Sequence, residues 1–195
     1  MSILIYAESA EGKIKKVALE LASYAKKVAS SMGTTVTAVT INNSDNSALA
    51  AYGVDKVLNV SNDKLNNFSA KAYADVIAQA AKKEGTQIVL VSSSTDSLYL
   101  APLVAVALEA GYASNVVALP VSTSPFQVKR TAFSNKAFNI TEISTPVKVL
   151  GIAKNSFGLV EDAVSMTEEA FAPSLNDADF GIKVENVEKV TGKVT

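Results

Sequence analysis

Histidine, cysteine and tryptophan are absent from this 195-residue chain, and Arg130 is its only arginine. That removes thiol and imidazole nucleophiles, disulfides, and zinc sites built from Cys and His. Hydrolase chemistry based on Ser–His or Cys–His pairs is excluded for this chain. One guanidinium also excludes a site that grips phosphates with several bidentate forks. Carboxylates remain: Glu8 lies near Glu11, Glu161 beside Asp162, and Glu168 beside Glu169. A solvated acidic face accounts for these pairs better than a glycosidase-type acid–base pair or a metal site. Lys13, Lys15 and Lys16 form a basic cluster without interleaved aromatics, a weak pattern for nucleic acid.

The elements that would position such groups follow from periodicity. Ser2–Tyr6 reads as a strand. Ile14, Val17, Leu21, Tyr24 and Val28 then recur at helical spacing, with Lys15, Lys16, Glu20, Lys26 and Lys27 on the other side and Gly33 as the stop. Thr35–Ile41 and Lys56–Val60 are strands. A second helix from about Ser69 aligns Tyr73, Val76, Ile77 and Ala80, and Gly85 closes it. Gln87–Val91 is the fourth strand. Leu98–Leu108 is apolar nearly all round, which predicts a deeply packed helix ending at Gly111. Asn115–Leu119 is the fifth strand.

Strand and helix thus alternate over residues 1–119, which predicts a parallel sheet with helices on both faces. Phe126–Ala132, Lys136–Thr141 and Val147–Ile152 follow as three strands without helices, which predicts antiparallel pairing onto one edge. The expected organisation is an α/β domain over residues 1–157, with added strands at 126–152. Residues 158–195 then form a short helix around Val160–Glu169 and an arm. Net charge is −1, and no run reaches the roughly 20 apolar residues of a membrane helix. With no signal peptide at the start, the reading is a cytoplasmic chain with no nucleic-acid partner and no membrane insertion.

In a doubly wound sheet, ligands sit at the carboxyl ends of strands. Ala7–Gly12 follows strand one, but Ala7 and Ile14 stand where a phosphate loop needs Gly and Ser or Thr. Ser92–Asp96 follows strand four. Its hydroxyls could hold an anion or cap the next helix through Asp96 or Ser97, and capping is the more general use. No residue is nominated as catalytic, metal-ligating or cofactor-binding.

Several segments together resemble the electron transfer flavoprotein α-subunit family. They are Ile3-Leu4-Ile5-Tyr6-Ala7-Glu8 with Gly12, Tyr52-Gly53-Val54-Asp55-Lys56-Val57, Leu100-Ala101-Pro102 with Ala105, Ser134-Asn135-Lys136-Ala137, and Pro146 through Phe157. Order and spacing match over about residues 1–157. Two departures stand out: Ser97-Leu98-Tyr99 replaces the family's Gly-Arg-Asp, and Ala153-Lys154 replaces an Arg-Pro. The resemblance implies a doubly wound, mainly parallel α/β sheet of adenine-nucleotide-hydrolase-like, Rossmann-like three-layer type, with a C-terminal antiparallel strand extension.

The resemblance also implies function. The intact protein would be a heterodimer with a β-subunit that binds AMP. It would carry electrons from flavin dehydrogenases to a quinone reductase or other acceptor. FAD would be held mainly by a second domain expected beyond Thr195, and this part would serve assembly. The rival reading is a free-standing nucleotide-binding module of the universal-stress-protein type; those show a Gly-x-x-Gly loop after strand four, and Ser92–Asp96 has none. A partner interface is expected around Phe126, Phe133, Ser134, Asn135, Lys136, Phe138 and Phe157, where aromatics concentrate late in the chain.

Overall fold

The structure is a computed structural model that describes residues 2–182 and residue 185. Strand β1 (Ser2–Tyr6) is wholly buried and pairs in parallel with β4 (Thr35–Ile41) and β6 (Ile88–Ser92). A small hairpin, β2 (Ser9–Ala10) with β3 (Lys13–Ile14), leads into helix α1 (Lys16–Met32). Gly33 ends α1 at φ 65°, a left-handed angle that costs a Cβ-free residue little. β4 pairs in parallel with β5 (Lys56–Val60), and α2 (Ala70–Glu84) connects β5 to β6. After β6 come α3 (Thr95–Ala107) and β7 (Gly111–Val116).

The later strands are β8 (Ser122–Thr123), β9 (Phe126–Ala132), β10 (Ala137–Glu142), β11 (Lys148–Ile152) and β12 (Thr167–Ala170). The ten-stranded sheet runs β10-β9-β7-β11-β6-β1-β4-β5-β12, with β8 on β9. Its face against α1 buries Leu21, Tyr24 and Val28 with Ile3, Ile5, Leu90 and Leu150. The other face buries Val76 and Ile77 of α2 and Leu100 and Val104 of α3 against Leu4, Val89 and Val149. The doubly wound, mainly parallel three-layer fold is therefore present, and the chain order reverses direction across the sheet between β1 and β6.

Four expectations are corrected. The strand read at Val147–Ile152 does not join an antiparallel extension: β11 returns into the sheet interior, parallel to both β6 and β7. On that side the antiparallel pairs are β9–β10, β8–β9 and β7–β9. The fifth strand starts at Gly111, not Asn115, and α3 ends at Ala107 with Glu109 left-handed at φ 50°. Gly111 serves packing instead, since a Cβ there would lie 2.4 Å from Ile143 Cγ2.

The apolar α3 is not deeply packed all round. Only Leu100, Ala101, Val104 and Ala105 of its apolar residues are buried, while Leu98, Tyr99, Leu103 and Val106 face outward. A helix on a sheet has one inward face, and composition cannot name it. Finally, no helix forms around Val160–Glu169. The N–H groups of Asp162, Val164 and Thr167 bond outward to the carbonyls of Ala51, Ala50 and Asp55. The segment then becomes β12, parallel to β5. Distant carbonyls capture donors that a helix would have used internally.

Leu21→Ala and Val104→Ala should each lower stability by about 1–4 kcal/mol, because both side chains are fully enclosed. Val106→Ala, on the outer face of the same helix, should change it by less than about 0.5 kcal/mol. Denaturant midpoints of the three variants check the assigned faces.

Candidate functional site

Ligands in this fold class enter at the carboxyl ends of strands, where the order reverses. Here that position is occupied by the protein's own groups. β1 delivers Glu8, which is 3% exposed. Its Oε1 accepts hydrogen bonds from the Ser92 hydroxyl at the end of β6 and, at 3.1 Å, from the Ser97 hydroxyl in the first turn of α3. Its Oε2 lies 3.3 Å from Lys15 Nζ. An internal carboxylate therefore sits where an anion would meet the amino end of α3. The α3 cap is Ser94, whose Oγ accepts from the Ser97 N–H at 3.1 Å, and neither Asp96 nor Ser97 takes that role.

The adjoining crevice is filled as well. The space between Val17, Leu21, Ser92 and Ile152 admits no water-sized sphere. Glu20 and Ala153 complete its lining, and Glu20 also holds the 153–158 loop. Glu20 Oε2 accepts from the Asn155 N–H at 2.9 Å, and Oε1 accepts from Phe157 and Gly158 N–H, each at 3.0 Å. Burial raises the carboxyl's proton affinity, but the backbone donors of Gly158, Phe157, Asn155 and Ser156 outweigh it and lower the pKa. Periodicity had put Glu20 on the solvent side of α1; it is 6% exposed. No sequence signal marks it, because its partners lie 135–138 residues away.

The other carboxylate pairs serve the chain itself. Glu161 and Asp162 are exposed. Glu168 accepts from Asn46 and Asn59 amides. Glu169 bridges Lys56 and Lys83, whose hydrogen bonds lower its pKa to about 2. Among the described residues, no group of three or more His, Cys, Asp or Glu could hold a metal ion.

The seven residues named for an interface separate into two sets. Phe126 is buried in the α1-side core, with Lys148 Nζ 5.5 Å from its ring centre. Phe157 is half-buried and packs edge-on against Tyr24, centroids 5.5 Å apart. The other five lie at the β9–β10 hairpin. Phe133 is 83% exposed and Phe138 64%, with Lys129 Nζ 4.2 Å over the Phe138 ring. Ser134, Asn135 and Lys136 are exposed at the tip. Phe133, Ser134 and Asn135 are all left-handed, at φ 49°, 50° and 66°. Such angles favour glycine, yet none of the three positions carries one.

The reversal point of this doubly wound α/β domain is thus lined by internal carboxylates, and an aromatic hairpin is exposed at one end of its sheet. The chain belongs to the electron transfer flavoprotein domain family, whose model matches residues 3–178. It is 28% identical to the electron transfer flavoprotein subunit alpha of Thermoanaerobacterium thermosaccharolyticum over 196 residues, covering 96% of this chain and 59% of that one. The corresponding subunit of Megasphaera elsdenii is 27% identical over 98% of this chain and 59% of its own. An acryloyl-CoA reductase electron transfer subunit beta of Anaerotignum propionicum is 23% identical over 89% of this chain and 44% of its own. The chain thus spans between 44% and 59% of the length of these relatives. None of its described helices is long and apolar enough to cross a membrane.

Because its pKa is depressed in the folded state, Glu20 contributes stability that is complete above its ordinary value near 4.5 and is lost as pH falls through the lowered one. Glu20→Gln should cost about 1–3 kcal/mol at neutral pH. The gap from the parent should narrow below about pH 4. Denaturation midpoints measured across that range check both the size and the sign.

Proposed function

We propose that this chain is the N-terminal domain of an electron transfer flavoprotein α-subunit and that its task is assembly, not catalysis. The observation that carries this reading is a bare aromatic hairpin tip in a family member whose own reversal point is filled. The intact protein would be a heterodimer in the cytoplasm. FAD would carry the electrons, and protein groups would orient and tune it. This chain would supply no flavin ligand; the flavin segment would lie beyond Thr195. The β-subunit would hold AMP in its own related fold. Electrons would pass from flavin dehydrogenases to a quinone reductase or another acceptor.

The interface in this proposal is the β9–β10 hairpin, with Phe133 and Phe138 as anchors and Ser134, Asn135 and Lys136 as polar rim. Large exposed rings beside hydroxyl, amide and ammonium groups are the composition of an interface core and rim. Phe126 and Phe157 support the hairpin and the 153–158 loop from within.

Phe133→Ser with Phe138→Ser should weaken binding to a cognate β-subunit by about tenfold or more. Both side chains are exposed, so the fold should survive, and circular dichroism provides that control. Unchanged affinity by titration calorimetry would move the interface elsewhere.

A fluorescence titration with FAD should show no binding tighter than about micromolar, roughly −8 kcal/mol. Submicromolar affinity would place a flavin site within this chain and refute the assignment of flavin binding to a later segment.

A further inference from the structure

Away from the filled reversal point, the carboxyl ends of β4 and β5 carry a polar groove of about 280 Å³. It is lined by residues 42–44 together with Asn59, Ser61, Asp63 and Asn66. The groove is pre-formed. Asn42 Nδ2 donates to the Asn62 carbonyl at 2.9 Å and to Asn66 Oδ1 at 2.8 Å, while its Oδ1 accepts from the Asn62 N–H at 2.8 Å. Those three bonds pin one loop to the other. Asn59 accepts from Thr40 and donates to Glu168, which fixes the base.

One buried group lacks a partner. Asn43 is 4% exposed, and its Nδ2 donates to the Asp45 carbonyl and to Asn46 Oδ1. Its Oδ1 accepts no hydrogen bond among the described residues. A buried amide oxygen left unmet is costly, and this one is shut off from solvent, so a ligand in the groove meets it only if the 42–46 loop shifts. Ser44, Ser61 and Asp63 line the same groove from exposed positions, and Asn66 has amide hydrogens to offer.

The donor set selects the ligand. No lysine or arginine lines the groove, so it does not suit phosphate. One carboxylate alone does not suit a divalent cation, which takes six or more oxygens. Amides, hydroxyls and one carboxylate offer donors and acceptors side by side. Adjacent hydroxyl groups of a sugar match that mixture, since each both donates and accepts; a carboxylate receiving a ribose hydroxyl is a recurrent pairing in α/β folds. We propose that this groove binds the vicinal diol of a furanose sugar, free or within a ribonucleoside.

The test is a nitrogen-15 NMR titration of the full chain with methyl β-ribofuranoside and with adenosine, each beside its 2-deoxy analogue. Saturable shifts at residues 42–44 and 61–66 that vanish with the deoxy compounds are expected. Equal affinity for the riboside and adenosine identifies the sugar alone as ligand; tighter adenosine binding identifies a nucleoside. Asp63→Ala and Ser61→Ala, both at exposed loop positions, should each weaken binding about two- to tenfold. No saturable shift, equal response to the deoxy compounds, or no effect of Asp63→Ala overturns the proposal.

Discussion

The arrangement of this domain depends on where β11 pairs. It enters the sheet between β6 and β7 and bonds in parallel with both. Val149, Leu150 and Ile152 are buried as a result, one set of side chains reaching each helical layer. With that slot occupied, β9 and β10 can only extend the sheet outward from β7. The hairpin tip is thereby carried to the periphery. The chain leaving β11 must also emerge at the carboxyl end of the sheet, next to α1. There Glu20 receives it through three backbone N–H groups. One strand position therefore governs both the exposed tip and the closed crevice.

Closure relies on the same physics that would bind a ligand. The amino end of a helix and adjacent hydroxyls favour negative charge. Glu8 supplies it, with Lys15 balancing the buried carboxylate. Glu20 does the same for a loop, as backbone donors stabilise its ionised form against burial. On the proposed reading, a domain of a redox protein needs no redox or nucleotide group at this point. The geometry that could hold a nucleotide phosphate instead ties β1, β6 and α3 together.

The sheet and its two helical layers were legible because local period and burial coincide. Leu21, Tyr24 and Val28 recur along α1 and are all buried. Val76 and Ile77 behave likewise in α2. The reading failed where partners are distant in sequence. Val147–Ile152 was recognisable as a strand, yet its neighbours are set by the fold. A signal was present: Val149-Leu150-Gly151-Ile152 is continuously apolar, the pattern of a strand buried on both faces, whereas Gln127-Val128-Lys129 in β9 alternates. Glu8 was visible as a carboxylate, but its serine partners lie 84 and 89 residues away. Glu20 looked like part of a polar stripe. The exposed face of α3 was illegible for the opposite reason, because every side of that helix is apolar.

The two ends of the sheet differ in a way that bears on assembly. At one end β12 covers β5, and it carries Glu168 and Glu169 in bonds to Asn46, Asn59, Lys56 and Lys83. Charge of this kind discourages another strand from adding there. At the other end β10 is almost wholly exposed. Phe138 and Ile140, two residues apart and so on one face of the strand, are 64% and 52% exposed. Phe133 stands at the adjoining turn. Lys129 covers the Phe138 ring on its own strand pair, which shields part of that ring without removing it from the surface. An edge of alternating apolar and polar groups, continuous with an exposed aromatic turn, would be a hazard if it stayed bare. On the proposed reading, a partner that buries it would turn the same edge into binding energy, and the charged far edge would keep that partner from adding at the wrong end.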